Sequence, residues 1–223
     1  MKRTLYLLIY LFTVQLLSAQ PPKWDSTFRP GNYHLKVAQF TSYNDKGCTI
    51  FLGNSITAGT DWTELLNMNN VCNRGISSDI TFGVLERLDE VTSGKPKKIF
   101  ILIGINDISR NIPDSHILNN YRRIIQKIKG SSSSTKIYFH SLLPVNNTFP
   151  VRNHFNKDEH ILFVNAGLKN IAKEHDISFI DLYPHFLNAD NKLDKKYTMD
   201  GLHLNADGYK LWAAILKSSG YLK

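Results

Sequence analysis

The chain has 223 residues, of which 42% are hydrophobic and 21% charged. That is ordinary globular composition at a length suited to one domain with a sizeable core. The formal charge is +8 and becomes +6 once Lys2 and Arg3 are set aside. The remaining positives are scattered, with Lys95, Lys97 and Lys98 in one place and Lys192, Lys195 and Lys196 in another. No arginine-rich or aromatic-interleaved stretch marks a nucleic-acid surface, so no nucleic-acid partner is expected. The lysines read as a solvated surface or, alternatively, as one that attracts acidic glycans.

At the N-terminus, Lys2 and Arg3 precede the apolar run Leu5 to Leu17, and Ser18-Ala19 follows with small side chains. This is the pattern of a secretory leader, residues 1–19, cut after Ala19. The run is shorter than the ~20 residues of a spanning helix, and no later segment is long and apolar enough to cross a membrane. An exported chain without stable membrane insertion is expected, with residues 20–223 as one domain.

After an irregular segment from Pro21 to Pro30 comes a short helix around Tyr33 to Phe40. Strands and helices then alternate. Thr49 to Leu52 is a short apolar run ending at Gly53, followed by Val71-Cys72-Asn73 ending at Gly75. Lys98 to Ile103 ends at Gly104, and Lys136 to His140 and Ser178 to Asp181 complete five strands. Between them, Asp79 is placed to cap one helix and Asp114 another, the latter carrying Ile117, Tyr121, Ile124 and Ile128 at helical spacing. A long helix fills the interval around Ile161 to Ala172, and Ala206 to Ser218 forms the last. Strands without alternation, each followed by a helix, imply an α/β fold with a parallel sheet buried on both faces. Ligands bind beyond the carboxyl ends of such strands, where Gly53, Gly75 and Gly104 lie.

The first strand runs into Gly53-Asn54-Ser55-Ile56-Thr57-Ala58-Gly59. A serine just past a strand, among small residues, is accessible to a substrate, although serine and glycine are also common turn residues. A phosphate-binding loop needs four residues between its glycines and then Lys-Ser/Thr; here five intervene and Thr60-Asp61 follows. The Gly-x-Ser-x-Gly elbow fails as well, because position 57 is Thr. Near the other end, Asp200-Gly201-Leu202-His203 places a carboxylate three residues before an imidazole. Such an Asp can hold one ring nitrogen while the other takes a proton from a serine; equally, it can be a turn that caps the final helix. His34, His116, His140, His154, His160, His175 and His185 lack such a neighbour and read as surface or packing residues. No His/Cys/carboxylate cluster has metal-ligand spacing, so no metal is expected. Gly75 at a strand end and Asn106 in Gly104-Ile105-Asn106-Asp107 offer a backbone N–H and a side-chain amide to a developing oxyanion; a plain turn and a helix cap are the alternatives.

Taken together, these pieces resemble the SGNH (GDSL-like) hydrolase superfamily, in which Ser, Gly, Asn and His occupy four ordered blocks. Ser55, Gly75, Asn106 and Asp200-Gly201-Leu202-His203 match them in order, and the resemblance spans about residues 48 to 216. From Phe51 to Asp107 the sequence is most similar to platelet-activating-factor acetylhydrolase-like and sialate O-acetylesterase-like bacterial proteins. One position departs: the usual first block is Gly-Asp-Ser-Leu, whereas this chain has Gly53-Asn54-Ser55-Ile56. The resemblance implies a three-layer α/β/α sandwich of flavodoxin-like type with a five-stranded parallel sheet. It also implies a serine esterase without cofactor, with Ser55, Asp200 and His203 as triad and the Ser55 and Gly75 N–H groups plus the Asn106 amide as oxyanion hole.

O-acetyl groups on carbohydrate, in a small-molecule or glycan ester, are the expected substrate. A lipid acylhydrolase and a catalytically silent glycan-binding protein are the alternatives. The stretch Pro144 to Phe155, with Asn146, Asn147, Arg152 and His154, follows the fourth strand and is expected to face substrate. Cys48 lies seven residues before Ser55 and Cys72 three before Gly75. Strands aligned at those ends would separate the cysteines by four residues, about 13 Å at ~3.3 Å each. A disulfide needs Cα atoms within ~7 Å, so two free thiols are expected.

Overall fold

The computed structural model describes residues 24–43 and 46–222. The predicted leader lies outside these residues. In chain order the elements are α1 Tyr33–Ser42, β1 Thr49–Gly53, α2 Ser55–Ala58, α3 Trp62–Leu66 and β2 Val71–Gly75. They continue with α4 Thr81–Glu86, α5 Leu88–Ser93, β3 Lys98–Leu102, α6 Ile105–Ser109 and α7 Asp114–Ser131. Then come β4 Lys136–His140, α8 Asp158–Glu174, β5 Ser178–Ile180, two short 3-10 helices at Tyr183–Phe186 and Lys195–Tyr197, and α9 Ala206–Ser218.

All five strands run parallel in the order β2-β1-β3-β4-β5. Side chains alternate across the sheet, and helices cover each face. On one face the register stacks Phe51 on Phe100 and Phe100 on Tyr138. Trp62 of α3 lies flat on Phe51, and Trp212 of α9 meets Trp62 edge-on. On the other face Phe139 meets Tyr121 of α7, which packs against α4, α5 and α8. The result is the three-layer α/β/α sandwich. Burial on both sides is why the central strands β1 and β3 read as largely apolar runs.

Two helix starts differ from their predicted form. The stretch after Asp79 is two short helices that break at Arg87, whose side chain turns inward to buried partners. Asp79 accepts the Ile80 N–H at 3.0 Å but mainly serves that arginine. Asp114 is the first residue of α7, behind Pro113, and its carboxylate faces His160 at 2.8 Å instead of capping.

The cysteines require a correction. Cys48 and Cys72 form a disulfide, with Cα atoms 6.0 Å apart. The strands align on Gly53 and Gly75, with Ile50 opposite Cys72. Ser55 lies two residues beyond the aligned Gly53, so alignment on the serine overstated the offset by two. The true offset is two residues, within disulfide reach.

Candidate active site

Ser55 opens α2 immediately beyond the carboxyl end of β1. The preceding Asn54 is fully buried and its Oδ1 accepts the Ile56 N–H at 3.0 Å, which caps the helix and fixes the turn. Asn54 therefore keeps the acceptor that an aspartate would offer here, without a charge. Its Nδ2 has no partner among the described residues.

The Asp200–His203 side is built by one local turn. Asp200 Oδ1 accepts the N–H groups of Leu202 at 3.0 Å and His203 at 2.8 Å. Gly201 sits at φ +79, and an added Cβ would lie 2.4 Å from the Asn146 carbonyl, so the turn requires glycine. Thr198 Oγ1 donates to the His203 carbonyl at 2.6 Å and accepts the Gly201 N–H at 3.0 Å. The imidazole is then fixed from both ends: Nδ1 lies 2.7 Å from Asp200 Oδ2 and Nε2 3.0 Å from Ser55 Oγ. A carboxylate accepts only, so Nδ1 carries the proton and Nε2 is bare toward the serine. Partial burial pushes the Asp200 carboxyl up, but the hydrogen bonds from His203 and Leu202 outweigh it and hold the group down at about 2. Ser55, His203 and Asp200 thus stand in line across 148 residues of sequence.

The opposite side of the site is assembled from distant segments. Asn106, in α6 and buried, donates from Nδ2 to the Asp79 carbonyl at 2.9 Å. The Asp79 carboxylate pairs with Arg87 Nε at 3.0 Å, both side chains being fully buried. Arg87 also donates to the Gly53 carbonyl at 3.2 Å, the Arg74 carbonyl at 2.8 Å and Glu90 at 3.1 Å, and Glu90 in turn holds Arg74. Burial pushes the Asp79 and Glu90 carboxyls up, while the guanidiniums pull them back. This network ties the ends of β1 and β2 to the segment that holds Asn106. No sequence pattern announced it, because its charges are spread over Arg74, Asp79, Arg87 and Glu90 with no local motif.

Gly75 does not fill the role the sequence suggested. Its N–H donates to Asn73 Oδ1 at 2.8 Å and is already committed. An added Cβ would lie 2.4 Å from the Ala58 nitrogen, so glycine is needed there to let α2 pack on β2. Three residues on, Ser78 adopts φ +64, lines a cleft beside Asn106, and makes no N–H hydrogen bond within the described residues. A non-glycine residue in that conformation is uncommon and gathers at functional turns.

The loop from 141 to 157 reaches the site through two of its four expected residues. Arg152 Nη2 donates to Asp200 Oδ2 at 2.9 Å, and His154 Nε2 lies 2.9 Å from Asn106 Oδ1. Asn146 is buried and binds the Leu193 carbonyl, while Asn147 donates to Asn156; both are structural. Beside Asn106 the cleft encloses about 670 Å³, and Asp25, Ser78, Arg110, Arg152, Asn153 and His154 line it with polar groups. Among the described residues no His/Cys/carboxylate group could hold a metal, and no helix is long and apolar enough to cross a membrane.

A hydroxyl, imidazole and carboxylate in line at the carboxyl edge of a parallel sheet define the serine-hydrolase class of site. The chain belongs to the GDSL-like lipase/acylhydrolase family, which it matches over residues 51–211. It is similar to a Streptococcus pneumonia protein described as a candidate platelet activating factor, at 30% identity and TM-score 0.80, covering 86% of this chain and 93% of that one. A GDSL-like lipase from Bacteroides thetaiotaomicron is 25% identical with TM-score 0.74, covering 84% of this chain and 96% of the other. An acetyl xylan esterase at 22% identity shares the fold, with TM-score 0.66 and coverage of 77% and 98%. No curated protein matches the sequence.

Proposed function

We propose that this acylhydrolase-family protein is an exported serine esterase that removes short acyl groups, acetyl foremost, from carbohydrate. The unbroken line from Ser55 through His203 to Asp200 carries the reading. Ser55 Oγ attacks the ester carbonyl while His203 Nε2 takes its proton, and Asp200 stabilises the resulting imidazolium. The oxyanion meets the backbone N–H of Ser55, the second amide hydrogen of Asn106 and, in place of Gly75, the N–H of Ser78. His203 then protonates the departing alcohol. Water, deprotonated by the same imidazole, attacks the acyl-Ser55 carbonyl and releases the acid. The residues present complete this cycle without a cofactor.

The cleft supports a small polar substrate, since charged and amide groups outnumber Trp24 and Val151 along it. The acetyl xylan esterase among the similar structures is consistent with that choice. Export draws support from the leader-like residues 1–19 and from the Cys48–Cys72 disulfide, which suits an oxidising compartment. A lipid acylhydrolase is the second reading. It is favoured by Val151 and Met199, 96% and 82% exposed, which flank the Arg152–Asp200 pair and put apolar surface at the rim.

Ser55→Ala is expected to abolish p-nitrophenyl acetate hydrolysis in a protein that folds normally and to remove labelling by a fluorophosphonate. Undiminished turnover would reject the enzyme reading. Release of acetate from O-acetylated glycans, set against release of acyl chains from phospholipid, separates the two substrate readings.

A further inference from the structure

We infer that His154 is a positioning residue that sets the plane of the Asn106 amide; this rests on the esterase reading above. Two contacts fix the orientation of Asn106. The group facing the Asp79 carbonyl at 2.9 Å must be the amide nitrogen, because a carbonyl only accepts. The atom facing His154 Nε2 at 2.9 Å is therefore Oδ1, and Nε2 must carry a hydrogen to donate to it. With nitrogen and oxygen both held, rotation of the amide is blocked and its second N–H has one direction left. One hydrogen bond alone would fix a point and leave the plane free to turn.

The surroundings suit a neutral imidazole in that tautomer. Burial above all, with the Arg152, Lys157 and Arg110 cations, pushes His154 down to about 4. Nδ1 is buried and has no partner among the described residues, so no contact there draws the ring away from Asn106. Nor is His154 needed to hold its loop in place. Lys157 Nζ donates to the Ile108 carbonyl at 2.7 Å and to Asn111 at 2.6 Å, and Phe155 is buried against the Gly201 turn. Those anchors stay when the imidazole is removed, whereas Asn106 Oδ1 loses the one donor it has among the described residues.

The test is kcat and KM on p-nitrophenyl acetate for wild type, His154→Ala and His154→Gln, with Tm measured on each. Glutamine places an amide N–H the same number of bonds from the backbone as Nε2. The alanine variant is expected to lose about tenfold or more in kcat, below the ~10²–10³ of losing a donor outright, with KM little changed. The glutamine variant should regain most of that loss. Alanine turnover equal to wild type, or equal losses in both variants that follow Tm, would overturn the positioning role while leaving the esterase reading intact. Ester hydrolysis indifferent to Ser55→Ala would overturn the esterase reading and the His154 role with it.

Discussion

The two sides of the site are built in opposite ways. On the base side, Asp200 and His203 sit three residues apart in one turn, with 29% and 39% of their side chains exposed. On the oxyanion side, Asn106 depends on the Asp79 carbonyl, on Arg87 behind it and on His154 from a separate loop, and most of these groups are buried. The Asp200–His203 turn is a local device on the rim; the surroundings of Asn106 are part of the protein's interior. Damage to the first should be chemical and confined. Damage to the second should spread into stability.

The largest expected effect is on the base side. Asp200→Asn keeps the size of the side chain but removes the charge that fixes the His203 tautomer, and kcat should fall by about 10⁴. Urea unfolding should change little, because the pairs it breaks with His203 and Arg152 are partly exposed. A large loss of stability would mean that this turn is less self-contained than its geometry indicates. Arg87→Leu is the counterpart. It strands Asp79 and Glu90 without their shared cation and frees the Gly53 and Arg74 carbonyls. A loss of roughly 3–5 kcal/mol is expected in denaturant titration, with a fall in kcat as Asn106 loses its support. A fully stable variant would contradict the buried-network account.

A smaller, pH-dependent effect tests whether the base side is as local as it looks. The base turn leads directly into α9, and α9 is fastened to the sheet where the Trp212 indole N–H donates to His140 Nε2 at 3.2 Å. Burial holds His140 at about 3 against an ordinary 6.5, so the ring stays neutral in the fold. Between those values the unfolded chain binds a proton that the fold excludes. The stabilisation from the neutral ring is therefore complete above about pH 6.5 and declines as pH falls toward 3. The stability gap between wild type and His140→Asn should narrow steadily as urea titrations move from pH 7 to pH 4. A gap constant with pH would show that His140 is not kept neutral.

The same contrast explains what could be read in advance. The strand ends, the Ser55 turn and the Asp200-x-x-His203 spacing were visible because each is a local pattern, and apolar runs with helical periodicity between them carry the parallel α/β alternation. Gly75 misled because a glycine at a strand end has two uses, and sequence cannot distinguish a bare N–H from a close approach. The cysteines misled through a register counted from Ser55 instead of Gly53. His154 was marked only by its loop's place after the fourth strand; its contact with Asn106 was not legible, since that partner lies 48 residues away.

By itself the sequence determined the α/β class, the order of the strands along the chain and the pairing of Asp200 with His203, because these depend on neighbours within a few residues. Only the tertiary structure decided the rest. It fixed which strand ends align, which N–H is free, and which side chains from distant segments surround Asn106. Those depend on long-range packing, where a shift of one residue moves a group by about 3.3 Å, more than the length of a hydrogen bond.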